Sequence, residues 1–405
     1  MDAVREQYEA FPYPARDPAE EARRLIEGSP SHPLEIDHYL FAGRRDWTQP
    51  FRALVAGAGT GDGLVMLAQK LADIGCPAEI TYLDMSVAAR QVAEARMAAR
   101  GLAARFVTGD LCEAPALGRF DYIDCCGVLH HLPEPDAGFA ALAAALAEGG
   151  GLGLMVYAPH GRTGVYPLQA AFGALFSGDA PETRLRLGRA AVAALPEGNW
   201  LARNPHLGDH RSSDAGFYDL LLHGRDRPYT VTELDAALAR AGLARVSFTE
   251  PALYDPARYL PESPEIAERL ARLSEPERAQ IAEHLAGHIK THTLYAAPAA
   301  GAGERLARPA SAAAVPHLRG AAPRALAAQV AKSGGFRLTL NGTGFAVTIP
   351  AAAAPLIAAA DGRASLGEIA ARLGLDWLAF SARWGAVHRG LTGFNLLHYS
   401  RGARG

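Results

Sequence analysis

The run Leu54-Val55-Ala56-Gly57-Ala58-Gly59-Thr60-Gly61-Asp62-Gly63 carries an apolar strand directly into a glycine loop and then into a helical pattern. Few architectures accept that order. A strand ending in glycines ahead of a helix opens a parallel α/β unit, where missing side chains let the backbone turn sharply and lie close to a ligand at the carboxyl edge of the sheet. By themselves the glycines also fit a plain tight turn. The surroundings decide, because from Phe51 to Tyr157 short apolar runs alternate with helical periodicity, as in a parallel sheet wrapped by helices. This predicts strands at Ala53 to Ala56, Glu79 to Leu83, Ala104 to Val107, Tyr122 to Cys126 and Gly151 to Tyr157. Helices are predicted at Gly63 to Ile74, Val87 to Ala99 and Ala137 to Ala147, the last stopped by Gly149, Gly150 and Gly151.

A chain of 405 residues, 49% hydrophobic and 20% charged, is globular and long enough for more than one compact unit. Residues 1–50 read as an N-terminal cap or lid and 51–297 as the α/β domain, with an irregular insertion at 159–228 over its functional edge. Regular structure resumes at a capping box, Thr230 with Glu233, followed by a strand at Arg245 to Thr249, helices begun by Ser263-Pro264 and Ser274, and a closing strand at Thr291 to Ala296. Residues 298–323, rich in alanine, proline and glycine, read as a linker. A small α+β domain at 324–405 begins with a hairpin around Asn341-Gly342 and continues through helices, one opened by a second capping box, Ser365 with Glu368. The expected fold class is a Rossmann-like, doubly wound, mostly parallel seven-stranded sheet with helical insertions, plus this C-terminal domain.

Net charge is −3, so no broad basic surface exists for nucleic acid. The abundance of alanine, with arginine in place of all but three lysines (Lys70, Lys290, Lys332), reflects a GC-rich bacterial genome and carries no functional weight. Cys76, Cys112, Cys125 and Cys126 have neither disulfide nor zinc-site spacing, which fits a reducing cytoplasm. No signal-type apolar core or bilayer-length apolar run occurs, so the expected location is cytosolic, with no membrane partner.

The loop itself narrows the ligand. A dinucleotide fingerprint places its third glycine where this chain has Asp62, and an aspartate there opposes a pyrophosphate. Glycine at every second position suits an adenosyl amino acid without phosphates, and the loop resembles that of the class I S-adenosylmethionine-dependent methyltransferases. Asp84 ends the second strand about twenty residues on, where a carboxylate can accept both ribose hydroxyls; its alternative is an N-cap, which Ser86 could supply instead. Phe106-Val107-Thr108-Gly109-Asp110-Leu111 ends the third strand, and the resemblance makes Asp110 the acceptor for the adenine amino group; alone it is an ordinary loop aspartate. The fourth strand runs into Cys125-Cys126-Gly127-Val128-Leu129-His130-His131-Leu132-Pro133, similar to the "LHHL-P" segment of that family. The resemblance therefore implies S-adenosylmethionine as cofactor, held by Gly57, Ala58, Gly59, Gly61, Asp84, Met85, Asp110, Leu111, Cys126 and Gly127.

His130 or His131 could serve as general base beside the transferred methyl; the alternative has one packing and the other hydrogen-bonding. No metal is expected, since no carboxylate or cysteine accompanies them at ligand spacing. Transfer from an activated sulfonium needs alignment and exclusion of water, hence a cover. Candidate cover and acceptor residues are Tyr13 within Tyr8 to Pro14, Tyr157, Arg162 and Tyr166 after the fifth strand, and His223 and Arg225 in the polar stretch before Pro228, each with plain packing or solvation as its alternative. The Asn/Asp-Pro-Pro-aromatic motif of amino-methylating nucleobase and glutamine enzymes is absent, as is a proline before the cysteines. The expected acceptor is a protein side chain or a small molecule, against a cofactor-binding but catalytically silent protein or, third, a dehydrogenase. The C-terminal domain loosely resembles winged-helix or regulatory appendages of bacterial methyltransferases, with protein recognition or homodimerisation as its expected role.

Overall fold

In a computed structural model describing residues 3–402, the apolar runs form one seven-stranded sheet. Its strands are β1 (Phe51–Ala56), β2 (Ala78–Asp84), β3 (Arg105–Thr108), β4 (Phe120–Cys126), β5 (Leu146–Tyr157), β6 (Leu243–Phe248) and β7 (Thr291–Pro298). The order is β3-β2-β1-β4-β5-β7-β6, with β7 antiparallel to both neighbours and the rest parallel. This is the Rossmann-like, mostly parallel sheet expected. Crossovers run one way from β1 to β2 and β3 and the other way to β4 and β5, so a crevice opens at the carboxyl ends of β1 and β4.

Local sequence explains the elements flanking that crevice. Helix α1 spans Ala3–Ala10 and α2 spans Pro33–Leu40. Helix α3 (Asp62–Asp73) starts behind Gly61 and buries Leu64, Leu67, Ala68 and Leu71, one apolar stripe at helical spacing. Helix α4 (Val87–Ala99) is capped by Ser86, whose Oγ accepts from the Ala89 N–H at 3.0 Å. Its Arg96, 1% exposed, is bonded to Glu21 at 2.6 Å and Asp62 at 2.7 Å.

Three expectations differ from the structure. Helix α5 (Pro135–Ala144) ends before Gly149, and the three glycines lie inside β5. Two of them serve close packing there: a Cβ on Gly151 would stand 2.6 Å from Leu40 of α2, and one on Gly150 would stand 2.8 Å from the Phe120 carbonyl, while Gly149 takes a left-handed φ of 78°. Residues 1–50 also do more than cover the site, because Leu34, Ile36, Tyr39, Leu40 and Trp47 are buried in one apolar cluster with β1, Tyr122 and Tyr295.

The third concerns 298–323, expected as a linker. Its strand β8 (Pro316–Leu318) pairs antiparallel with β11 (Leu397–Tyr399), closing the C-terminal unit at its base. Between them lie the helix Pro323–Ser333, the hairpin β9 (Gly335–Leu340) and β10 (Thr343–Thr348), and helices Ala354–Ala358, Leu366–Arg372 and Trp377–Thr392. Asn341 and Gly342 turn the hairpin with φ of 50° and 76°. One buried apolar cluster runs from Leu54 and Leu152 in the sheet to Val347, Trp384 and Leu391 in this unit, so the two parts share a core. The insertion after β5 is helical, with α6 (Val165–Leu175), α7 (Pro181–Ala193) and the helix Asp214–Leu221 enclosing a separate small core. Among the described residues no helix is long and apolar enough to cross a membrane.

Candidate functional site

The crevice holds a cavity of about 520 Å³. Gly57 and Gly59 shape it. Both have left-handed φ, 68° and 52°; a Cβ on Gly57 would overlap Val128 at 2.2 Å, and one on Gly59 would press the Tyr13 carbonyl oxygen at 2.6 Å. The Gly59 N–H donates to Asp84 Oδ2 and the Ser86 N–H to Asp84 Oδ1, each at 2.8 Å. Since Ser86 caps α4, the capping alternative for Asp84 is removed, and its carboxylate ties the loop to the end of β2. Burial pushes the Asp84 carboxyl up from the ordinary range, against the bonds from Ser86 and Gly59.

Of the residues expected to hold the cofactor, Gly57, Ala58, Gly59, Asp84, Met85, Asp110, Leu111, Cys126 and Gly127 line this cavity. Gly61 stands apart, turning the chain into α3 against Ala93. Asp110 also performs its plainer role, since Oδ1 accepts from the Cys112 N–H at 2.7 Å and caps the 3-10 turn Leu111–Leu117. Asp62 requires a correction. Arg16 at 2.6 Å and Arg96 at 2.7 Å hold its charge, and although burial opposes them, these bonds keep its pKa below the usual value. The charge that was expected to repel a phosphate is compensated, so that argument for the ligand loses its force.

A cover closes over the loop. The Glu9 carboxylate accepts from the Val87 and Ala88 N–H groups at 2.7 and 3.1 Å, filling the free amino end of α4. Thr60 Oγ1 donates to the Pro14 carbonyl at 2.7 Å. Tyr8 and Tyr13 are thereby held on the cavity wall, which His131 and Tyr157 also line.

Around Tyr8 sits a buried polar cluster. The Tyr8 and Tyr157 hydroxyls donate to the two oxygens of Asp219, each at 3.0 Å. The His131 and His223 rings stack at 3.7 Å. His131 Nδ1 meets the Arg225 carbonyl at 2.7 Å, which places its proton on Nδ1 and leaves Nε2 as a lone pair, buried and unpartnered among the described residues. His223 Nδ1 accepts from the Arg225 N–H at 3.0 Å, which places its proton on Nε2, toward Tyr8 Oη at 3.3 Å. Burial pushes the Asp219 carboxyl up.

The two histidines are not equivalent. His131 lines the cavity, whereas His130 does not; it is fully buried against Tyr157, with ring centres 4.0 Å apart, and burial drives it well below the ordinary imidazole range. Tyr13, Tyr157 and Arg225 line the cavity, while Arg162, Tyr166 and His223 stand behind it. Arg162 lies 3.6 Å above the Tyr157 ring, bonded to Asp226 and to the Tyr166 hydroxyl at 2.9 Å each, and so braces Tyr157. The fold also supplies a carboxylate that local spacing lacked: ligand atoms of His131, Asp219 and His223 lie within 4.8 Å of one another. A metal there would have to displace the proton that the Arg225 N–H fixes on His223 Nε2, so the geometry favours a hydrogen-bond cluster.

Asp219 and Tyr8 were not singled out from sequence. Tyr8 lay within the cover segment, and the signal for Asp219 was a carboxylate inside the apolar run Phe217-Tyr218-Asp219-Leu220-Leu221. Asp124, inside the apolar β4, gave the same kind of signal and also lines the cavity.

Residues 54–152 match a family described as a methyltransferase domain. An uncharacterized protein of Synechococcus sp. is 32% identical over 306 residues, which is 72% of this chain and 70% of that one. PKMT2 from Rickettsia typhi superposes with a TM-score of 0.61 over 92% of this chain and 76% of its own, at 15% identity. The same protein in complex with AdoHcy gives 0.57 over 91% and 75%, at 12% identity.

Proposed function

The chain belongs to the class I S-adenosylmethionine-dependent methyltransferases, and from that premise we propose that it methylates an amine nitrogen carried by a protein side chain or a small molecule. The observation behind the acceptor is Asp219: a desolvated carboxylate in the cavity wall, steadied by two tyrosine hydroxyls, beside the unpartnered Nε2 of His131. The cavity suits the cofactor, since its glycine floor leaves the space that Cβ atoms would fill and its volume is that of a site for a molecule of this size.

When bound, S-adenosylmethionine supplies a sulfonium methyl group, which an amine lone pair takes in line as the sulfur keeps the electron pair of the broken S–C bond. An amine reaches the site as an ammonium ion and must lose a proton first. Asp219 compensates the cation, and His131 Nε2 is the lone pair that receives the proton. Tyr8, Tyr13 and Tyr157 line the cavity with aromatic side chains, which exclude water from it.

The test is transfer of labelled methyl from S-adenosylmethionine to lysate from a strain lacking the protein, followed by mild alkali. Label on nitrogen survives alkali, and Asp219→Asn lowers turnover about 10²- to 10³-fold, as loss of one electrostatic stabiliser does elsewhere. Alkali-labile methyl esters would refute the amine assignment. Tight S-adenosylhomocysteine binding with no labelled product would favour a catalytically silent protein.

A further inference from the structure

Gly28, Ser29 and Pro30 line the cofactor cavity, yet what holds them comes largely from the far end of the chain. Arg319 donates from Nη2 to the Gly28 carbonyl at 2.6 Å and from Nη1 to Ser29 Oγ at 3.3 Å and to Glu35. Asn395 Nδ2 donates to Ser29 Oγ at 3.1 Å and to Glu35 Oε1 at 2.7 Å. Glu35, fully buried at the start of α2, also accepts from Ser29 Oγ at 2.5 Å and from the Tyr295 hydroxyl at 2.9 Å. Tyr295 Oη in turn accepts the Ser31 N–H at 3.1 Å. Ser31 has φ of 94°, a conformation that non-glycine residues keep only where surrounding bonds impose it.

That imposed conformation aims Ser31 Oγ at Asp124 and Tyr122. Asp124 is 3% exposed, lines the cofactor cavity, and lies directly beneath the start of α3, where a Cβ on Gly63 would stand 2.7 Å from its Oδ2. Its partners are a hydroxyl and the Cys126 thiol rather than a cation. Burial pushes the Asp124 carboxyl up to about 6, so a positive group brought against it in the cavity would favour its charged form, and the cofactor carries one, the α-ammonium of its amino-acid end. We propose that Asp124 binds this ammonium and that the C-terminal unit is part of the cofactor site, with Arg319 and Asn395 as positioning residues that hold the Gly28–Ser31 turn and, through Ser31, the Asp124 carboxylate.

Calorimetry with two probes tests this. S-adenosylhomocysteine has the amino-acid end; 5′-methylthioadenosine has the same adenosine and sulfur without it. Asp124→Asn and Ser31→Ala lower affinity for the first probe about 10- to 100-fold and leave that for the second unchanged, as expected for bonds to one charged group. Arg319→Gln combined with Glu35→Gln, which leaves no lone buried charge, shows the same selective loss, and Arg319→Lys recovers part of it. Unchanged S-adenosylhomocysteine affinity in these variants would overturn the proposal. So would equal losses for both probes, the mark of general loosening. A parent protein that binds neither probe would overturn the cofactor assignment and this inference with it.

Discussion

Replacing Asp84 by alanine tests the centre of the site. An ionised carboxylate offers about four lone-pair positions. The Gly59 and Ser86 N–H groups hold one oxygen each at 2.8 Å, with a further contribution from the Met85 N–H, and a ribose diol would add up to two bonds on the side facing the cavity. A hydrogen bond to a charged group contributes about 1.5–3 kcal/mol, so losing two to the ligand removes about 3–6 kcal/mol of binding, or about two to four orders of magnitude in Kd. Removing the carboxylate also frees the Gly59 N–H and lets the loop relax, which adds a smaller loss of stability in the unliganded protein. Calorimetry with S-adenosylhomocysteine, paired with thermal unfolding of the free protein, separates the two effects. Asp84→Asn keeps one oxygen and exchanges the other for a donor, so its affinity falls between parent and alanine variant. Equal affinities for parent and Asp84→Ala, or a drop in Tm with no change in Kd, would refute the ribose role.

Gly59→Ala places a Cβ 2.6 Å from the Tyr13 carbonyl in a left-handed conformation that costs about 1–2 kcal/mol for other residues. The cover should lift, and limited proteolysis should cut within 8–16 faster than in the parent. His131→Gln should lower methyl transfer about 10²- to 10⁴-fold, whereas His130→Gln should change Tm and leave the transfer rate of the folded protein largely in place. Burial holds His32 and His38 near about 3 and His388 near about 4, against 6.5 in the unfolded chain. Below pH 6.5 the unfolded chain binds protons that the folded one refuses, so stability is intact above 6.5 and falls as pH approaches 4. At pH 5.5 each histidine costs about 1.4 kcal/mol, about 4 for the three. Asp37 and Asp124, whose carboxyls burial pushes up to about 6, take up protons in the folded chain over the same range and offset part of this; urea midpoints that are flat or rise between pH 7 and 5.5 would contradict the net loss.

What sequence made legible was what is encoded over short distances. A glycine forced into left-handed φ, a serine or threonine three residues before a glutamate, and alternating apolar runs each report a contact made within a few residues. The seven strands, the capping boxes at Thr230 and Ser365 and the Asn341-Gly342 turn followed from these. The run Gly149 to Gly151 misled because glycine also marks close packing, as at Gly151 against Leu40 of α2, a partner more than a hundred residues away. The acceptor side was harder for the same reason: Asp219, Tyr8 and Tyr157 meet only once three distant segments fold together. Local spacing could name His130 and His131 but not rank them, because adjacent residues differ only in which one the tertiary fold turns toward the cavity.

The bonds to Glu35 also set an order in time. During synthesis Ser29 and Glu35 emerge early, Tyr295 and Arg319 some 260 to 290 residues later, and Asn395 after a further 76. Until then the glutamate must remain hydrated and the Gly28–Ser31 turn unheld, even when β1 to β5 and the glycine loop have left the ribosome. A nascent chain stalled before Arg319 and Asn395 would carry the glycine floor with the Gly28–Ser31 turn still unheld from that side.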